Sequence, residues 1–243
     1  MELLEFSKKL LKALEDNNIH KGLNLENNEK LYYLTEFMLK ANEQMNLTAI
    51  TDLDAIILKH YVDSLMVSQY IPEGATVIDV GCGAGFPCLP LAIFRKDLTI
   101  TALDATAKRI RYIDDVARRL EINNIKPIAA RAEELARLSE YRGKYDIATA
   151  RAVAALPILS ELCLPFVKIG GSFVAMKGAQ GVQEASDARN AIRLCGGEIK
   201  SVDRLNLVSA DSSEDRIIVS VEKISATPAK YPRHYSKISK QPL

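Results

Sequence analysis

The sequence lacks the cysteine pairs and metal-ligand clusters that would indicate a disulfide scaffold or a metal site. Its four cysteines, Cys82, Cys88, Cys163 and Cys195, include no CxxC pair, and no group of Cys or His has ligand spacing. A chain of 243 residues is also long enough to form a core without disulfides. We therefore expect a reduced protein in the cytoplasm, with no bound metal.

Long apolar runs are absent as well. No stretch approaches the roughly eighteen apolar residues that a membrane-spanning helix needs. Residues 1–14 alternate apolar and charged side chains, which is typical of an amphipathic helix and not of a signal peptide. We therefore expect a protein that does not span a membrane.

The sequence has no overall excess of one charge. The formal net charge is +1, so the total does not indicate a strongly basic nucleic-acid-binding protein. The ends differ, however, because residues 1–60 hold seven Lys and ten Asp or Glu, whereas residues 223–243 hold five Lys or Arg and no acid. Such a tail can attract phosphate backbones, or it can be a solvated terminus.

Two patterns of hydrophobic spacing divide the chain. Residues 1–70 show helical spacing throughout, and short β-branched runs alternate with helical stretches after the turn at 72–74. The strands that we predict are 76–80, 99–103, 125–129, 147–150, 172–176, 198–205 and 217–222. The helices that we predict after residue 74 are 89–94, 107–120, 133–138, 155–166 and 182–194.

This alternation predicts an α/β fold with a parallel sheet and helices on both faces. Only a polar link, residues 206–215, joins the last two strands, so one of them is expected to run antiparallel. That ending resembles the seven-stranded, Rossmann-like fold of methyltransferases more than a dinucleotide-binding fold. We expect an N-terminal helical extension over 1–70, a core over 71–223, and a basic tail over 224–243 packed on or near the core.

A glycine-rich loop follows the first predicted strand. Gly81, Gly83 and Gly85 come directly after a strand that contains Asp79, and they precede a helix. Dinucleotide-binding loops need a third glycine at the position that Phe86 occupies here. The G-x-G-x-G pattern after an acidic strand resembles instead the first motif of S-adenosylmethionine enzymes, and we predict that Phe86 and the three glycines contact this cofactor.

Three acidic residues near the strand ends have two interpretations each. Asp79 either lies near the methionine amino group or orders the loop by accepting backbone N–H bonds. Asp104, which ends the second strand, either accepts bonds from ribose hydroxyls or caps the next helix. Ala132 and Glu133 follow the third strand and either contact adenine or begin a helix, where an acid is favourable.

Several segments resemble the RsmG (GidB) family of 16S rRNA guanine-N7 methyltransferases, which act in the 530 loop. The resemblance extends from about residue 25 to the end, and its most specific parts lie outside the glycine loop. The matching segments are 45–50, 60–65, 79–93, Asp104 with 108–109, 131–133, 151–154, 177–178, 230–233 and 240–243. Cys82, Cys88 and Ala105 depart from the pattern by one small residue for another.

The resemblance implies cofactor contacts at Gly81, Phe86, Ala132, Glu133 and Arg151. It also implies a 16S rRNA substrate within the small ribosomal subunit. Nothing in the sequence requires more than a monomer. A methyltransferase acting on another RNA or on a small molecule stays open as an alternative, as do a nicotinamide oxidoreductase and an adenosine-binding regulatory domain.

The residues after the fourth strand narrow the chemistry. An amino-group methyltransferase usually has an Asn/Asp-Pro-Pro-Tyr/Phe motif there, but this chain has Thr149-Ala150-Arg151-Ala152. The Pro87-Cys88 pair lies in the cofactor loop, and no base beside it would activate a nucleophile. Guanine N7 carries no proton, so direct in-line transfer needs no general base. Arg151 is predicted to position the cofactor or guanine O6, and its alternative is a structural ion pair with Asp79 or Glu133.

The remaining candidates are polar residues that we predict to contact the RNA. His60, Asp63 and Ser64 are expected on one helical face, although a single helical His is often structural. The others can equally be helix caps or solvated surface charges. The full set predicted to bind substrate is Asn46, Thr48, His60, Asp63, Ser64, Lys177, Arg233 and His234.

Overall fold

The computed structural model describes residues 2–210 and 212–243. The N-terminal part is helical, as the spacing predicts. It comprises α1 (Leu3–Asp16), α2 (Leu25–Met45), α3 (Leu53–Ile56), a π-helix (Ile57–Val62), α4 (Asp63–Met66) and a 3-10 turn (Val67–Tyr70). Asn24 caps α2 by accepting from Asn27 N at 2.8 Å, and α2 ends at Asn46 in the left-handed region, with φ of 50°.

Seven strands and their helices follow. In chain order they are β1 (Thr76–Val80), α5 (Cys88–Phe94), β2 (Thr99–Asp104), α6 (Ala107–Arg119), β3 (Ile125–Ala129), α7 (Ala132–Leu135), β4 (Tyr145–Arg151), α8 (Leu156–Cys163), a 3-10 turn (Leu164–Phe166), β5 (Val167–Lys177), α9 (Gly181–Asp187), α10 (Arg189–Leu194), β6 (Gly197–Val208), β7 (Ser213–Lys223) and α11 (Tyr235–Lys240).

The strands form one sheet in the order β3-β2-β1-β4-β5-β7-β6. The first five strands are parallel, and β7 runs antiparallel to both β5 and β6. The prediction of a mixed seven-stranded sheet is therefore confirmed. β6 and β7 are both longer than predicted, so the link between them is shorter. The single helix predicted over 182–194 is divided into α9 and α10.

The sheet separates two hydrophobic clusters. The cluster on one face includes buried residues of α1, α2, α5 and α6, so the N-terminal helices pack on this side. The other face carries α8 and α10 together with Tyr231 and Ile238 from the C-terminal segment. Arg142 also ties that segment to the core by donating to the carbonyls of Thr227 and Tyr231. In the described ranges, no helix combines the length and the apolar character needed to cross a bilayer.

Candidate active site

The glycine loop joins β1 to α5 at the carboxyl end of the parallel strands. Gly81 has a φ of 76°, and a Cβ built on it would lie 2.6 Å from Val153 Cγ2. Both the backbone conformation and the contact with Val153 therefore require glycine at this position. Gly83 has a φ of 57° but meets only the carbonyl of Gly81 at 3.9 Å, so it presents bare backbone to open space.

The neighbouring strand holds this loop in place. Leu103 O accepts from the amides of Gly81 at 2.7 Å and Cys82 at 3.0 Å. The Asp104 carboxylate accepts from Gly83 N at 3.0 Å through Oδ2 and from Thr106 N at 2.7 Å through Oδ1. Asp104 thus supports both the loop and the residues that precede α6, while its carboxylate forms part of a pocket wall.

Asp79 belongs to β1 and supports the loop that follows this strand. Its side chain is buried and accepts from Thr149 Oγ1 at 3.0 Å and from Cys88 N at 3.2 Å. Burial raises the pKa of Asp79 to about 6, against the opposing effect of these two hydrogen bonds. The observed contacts are those of a residue that orders the loop, which is one of its two predicted roles.

A pocket of about 350 Å³ opens above the glycine loop. It brings together seven of the predicted site residues: Thr48, His60, Gly81, Gly83, Phe86, Asp104 and Arg151. Gly85 lies within the same loop and packs on Leu89. A larger cavity of about 860 Å³, between residues 16–21, 65–73 and 204–208, shares no lining residue with this pocket.

The Phe86 ring forms one wall of the pocket between a histidine and an arginine. The His60 ring stacks on it with centroids 4.3 Å apart, and Arg151 Cζ lies 5.4 Å from its centroid. Burial, followed by the nearby charge of Arg151, lowers the pKa of His60 to about 4, so the imidazole is neutral at pH 7.

Thr48 is the hydrogen-bonding neighbour of the His60 ring. Its Oγ1 lies 3.0 Å from His60 Nε2 and also accepts from Ile50 N at 3.0 Å. A threonine hydroxyl has one proton and two lone pairs, so this contact is compatible with either tautomer of the neutral imidazole, and it holds Nε2 in place. The other ring nitrogen is Nδ1. Within the described residues, this buried Nδ1 has no hydrogen-bond partner.

Arg151 ends β4 and contacts the π-helical segment. Its Nη1 donates to Asp63 Oδ2 at 2.9 Å and to the carbonyl of Lys59 at 2.8 Å. Asp79 and Glu133 were the acids expected to pair with Arg151 in a purely structural role, but the observed partner is Asp63. The three predicted residues in and after the π-helix have different surroundings. His60 lines the pocket, Asp63 contacts the two arginines Arg151 and Arg216, and Ser64 is fully buried.

Several predicted residues do not line this pocket. Asn46 ends α2, while Ala132 and the buried Glu133 begin α7. Lys177 Nζ pairs with Glu184 at 2.7 Å, and Arg233 Nη2 pairs with the buried Glu161 at 2.7 Å. His234 caps the short helix α11 and is exposed. Lys177 and Arg233 therefore have buried or partly buried acidic partners in place of the free surface charge expected for a phosphate contact.

The pocket also contains residues that the sequence interpretation did not name as site residues, among them Arg109 and Val153. Arg109 lies 3.7 Å from Asp104, with 42% of its side chain exposed, and Val153 packs on Gly81. Arg109 belongs to the Lys-Arg pair that matched the family pattern, and that match could have identified it. The four cysteines are buried, and burial holds the pKa of Cys88 well above its usual value. Among the described residues, no group of His, Cys, Asp and Glu could hold a metal ion.

Solved methyltransferases share the fold of this chain. The TYW2 structure of M. jannaschii in complex with AdoMet aligns with a TM-score of 0.53 and 16% identity, over 67% of this chain and 75% of that one. A SAM-dependent methyltransferase from Aquifex aeolicus aligns with a TM-score of 0.53 and 14% identity, over 76% and 97%. The fold is that of the S-adenosylmethionine-dependent methyltransferases.

Sequence comparison gives the family. A family model described as rRNA small subunit methyltransferase G (GidB) matches residues 27–212. The protein of that name from Clostridium perfringens (strain 13 / Type A) is 41% identical over 217 residues, which is 88% of this chain and 90% of the relative. The one from Acetivibrio thermocellus is 41% identical over 238 residues, 97% of each chain. The chain belongs to the rRNA small subunit methyltransferase G family and uses S-adenosylmethionine.

The pocket fits the chemistry of this cofactor. The bare backbone at Gly83 allows a ligand to approach without meeting a Cβ. Asp104, at the end of the second strand, offers carboxylate oxygens where a nucleoside cofactor presents its ribose hydroxyls. Phe86 and Val153 supply apolar surface, and Arg151 supplies a cation beside the Phe86 ring.

Proposed function

We propose that this protein methylates N7 of a guanine in the 530 loop of 16S rRNA by direct in-line transfer. One observation carries the proposal: the carboxylates in or beside the pocket are already engaged. Asp63 accepts from two arginines, and Asp79 and Asp104 each accept two hydrogen bonds. A site without a free base suits a nucleophile that has no proton to lose, and guanine N7 is such an atom.

S-adenosylmethionine supplies an electrophilic methyl group when it is bound. In the proposal, Gly81, Gly83 and Asp104 bind the cofactor, and Arg151 orients guanine through its O6 atom. The neutral His60 stays a hydrogen-bonding group and does not serve as a base, because a pKa of about 4 makes its imidazole a weak proton acceptor and Thr48 occupies Nε2. Asp79, Gly85, Ala132, Glu133 and Ser64 are then supporting residues around the site.

The geometry of the pocket sets a condition on the substrate. A base inside a duplex cannot reach a pocket at the end of a sheet, so the guanine must be unpaired or flipped out. We propose that the RNA is presented within the small ribosomal subunit, that the protein acts in the cytoplasm, and that it acts as a monomer. Exposed basic groups such as Arg109 would contact phosphates near the pocket mouth.

The proposal is tested by measuring methyl transfer from labelled S-adenosylmethionine to naked 16S rRNA, free 30S subunits and 70S ribosomes. Transfer to one of these substrates and not to unrelated RNA is expected. Transfer only to another RNA or to a small molecule would replace the proposed substrate.

Arg151→Ala should reduce the rate of transfer by at least about 100-fold, since it removes the group that orients the base. Circular dichroism and thermal unfolding of the same variant check that the fold persists. The control is Arg204→Ala, which removes an arginine of β6 whose pairing with Asp215 is exposed and which does not line this pocket. Full activity of the Arg151 variant would refute its proposed role.

A further inference from the structure

A ring of charged groups lies behind the Arg151 wall of the pocket. At its centre is Asp63, whose Oδ1 accepts from Arg216 Nε at 2.9 Å and whose Oδ2 accepts from Arg151 Nη1 at 2.9 Å. The three side chains are mostly buried, with 11% of Asp63, 15% of Arg151 and 18% of Arg216 exposed. One carboxylate therefore holds two arginines that belong to different strands, β4 and β7.

Arg216 is itself fixed on its other side. Its Nη2 donates to Glu214 Oε2 at 3.1 Å, and its Nη1 donates to the carbonyl of Asp215 at 3.1 Å. Glu214 also accepts the ammonium of Lys59 at 2.7 Å, and the carbonyl of Lys59 accepts from Arg151. The ring closes through these contacts, from Arg151 through Asp63, Arg216, Glu214 and Lys59 back to Arg151.

The contact with Arg216 determines how Asp63 can hold Arg151. A carboxylate with both oxygens free tends to bind an arginine by two parallel hydrogen bonds. Here Arg216 donates to Oδ1, and Arg151 donates a single bond to Asp63, from Nη1 to Oδ2. Within the described residues, the hydrogen bonds of Arg151 all run from Nη1, and its other N–H groups are left for a ligand of the pocket.

We propose that Arg216 is a positioning residue for the active site: by occupying Asp63 Oδ1, it limits Asp63 to a single contact with Arg151 and so keeps the remaining guanidinium donors directed at the pocket. Without Arg216, Asp63 takes Arg151 in a bidentate pair and draws the guanidinium away from Phe86. This role of Arg216 adds to the proposed function. It rests on that function only for the identity of the RNA substrate.

The test compares Arg216→Gln with Arg216→Lys, which keeps a charge that can reach Asp63. The matched control is Arg204→Gln, since Arg204 lies on the paired strand β6 and makes an exposed contact of 3.6 Å with Asp215. Three quantities are measured: the transfer rate constant on 16S rRNA, the affinity for S-adenosylmethionine by calorimetry, and the ¹⁵N NMR signals of the Arg151 side chain in the cofactor-free protein.

We expect Arg216→Gln to lower the transfer rate constant by about 10- to 100-fold, the scale of a small misplacement of a reacting group. Arg216→Lys should recover part of this loss, and Arg204→Gln should stay within about twofold of the wild type. The Arg151 signals should shift in Arg216→Gln and stay unchanged in Arg204→Gln. Altered signals without the cofactor separate positioning from a general loss of stability, which thermal unfolding monitors.

Unchanged Arg151 signals, or transfer by Arg216→Gln within twofold of the wild type, would overturn the proposal. If Arg216→Gln does not fold, Arg216→Lys is judged by the same two criteria, with a loss and a shift again expected. If the wild-type protein transfers no methyl group to 16S rRNA, the proposed substrate fails, while the NMR signals still decide whether Arg216 positions Arg151.

Discussion

The His60 side chain links the chemistry of the pocket to the stability of the fold. Its pKa is lowered from 6.5 to about 4 in the folded protein, so the unfolded chain binds the additional proton between these two values. The His60 contribution to the free energy of unfolding should therefore fall as the pH drops from 6.5 to 4, by up to about 3 kcal/mol, and should be fully present above pH 6.5. Asp79, whose pKa is raised from 3.8 to about 6, contributes in the opposite sense as the pH drops below 6.

Chemical denaturation of the wild type and of His60→Gln at several pH values between 4 and 7.5 measures this effect. The comparison uses the pH dependence of the two curves and not their absolute values. The substitution by Gln offsets the stability at every pH, and it also removes the titration of the imidazole. Equal slopes for both proteins would contradict the account of a buried neutral imidazole stacked on Phe86.

Gly81 makes a second prediction at the scale of a residue. Gly81→Ala places a methyl group against Val153 at a φ of 76°, whereas Gly74→Ala, at a φ of 69°, meets no atom within 4 Å. Both variants bear the backbone strain of a left-handed residue, about 1–2 kcal/mol, but only the first disturbs the cofactor loop. Calorimetry should show S-adenosylmethionine affinity lowered at least about tenfold in Gly81→Ala and unchanged in Gly74→Ala; equal affinities would be evidence against the loop geometry.

At the scale of elements, the link between α8 and the C-terminal segment makes a third prediction. Glu161 is fully buried, and Arg233 satisfies it through both its backbone N–H and its guanidinium. Arg233→Ala leaves a buried carboxylate without its cation and should lower the free energy of unfolding by about 3–5 kcal/mol. Lys237→Ala, at an exposed position of α11, should change it by less than about 0.5 kcal/mol.

Urea denaturation checks both variants. The double variant Glu161→Leu with Arg233→Met should recover much of the loss, because it removes the charge together with its partner. An Arg233→Ala protein as stable as the wild type would show that the buried pair does not hold the tail, and that Arg233 is available for RNA.

The strands were predictable from sequence for a local reason. A buried parallel strand is a short run rich in β-branched residues, and β1 has its predicted bounds, Thr76–Val80. The partly buried edge strand β3 also has its predicted bounds, Ile125–Ala129. The π-helix at Ile57–Val62 was not predictable, because the spacing rule assumes 3.6 residues per turn. His60 and Lys59 both lie in that element: His60 lines the pocket, and the carbonyl of Lys59 accepts from Arg151. The three residues His60, Asp63 and Ser64 have different surroundings instead of the expected shared face.

The residues of the site also divide into those that a local sequence pattern predicts and those that it does not. The glycine loop, Asp104 and Arg151 lie at strand ends, where the fold class places ligands, and the sequence interpretation identified them. Arg216 lies 153 residues from Asp63 in the chain and sits within a strand, so no local pattern connects the two. Residues that act through long-range ion pairs become visible only when the strands are assembled.

At the scale of the whole molecule, the two faces of the sheet are covered by different parts of the chain. The N-terminal helices pack on one face and supply Thr48, His60 and Asp63 to the site, while the C-terminal segment packs on the other face through Tyr231 and Ile238. The division into an extension over 1–70, a core over 71–223 and a tail over 224–243 stays a prediction.

The most direct test of the central claim is to locate the methyl group on the RNA. After reaction with S-adenosylmethionine, 16S rRNA is digested to nucleosides and fragments and analysed by mass spectrometry, in parallel with RNA that carries 7-deazaguanine in the 530 loop. The account predicts one N7-methylguanosine in that loop and none in the 7-deaza RNA. Methylation of an exocyclic amine, of a pyrimidine or of the 7-deaza RNA would contradict it.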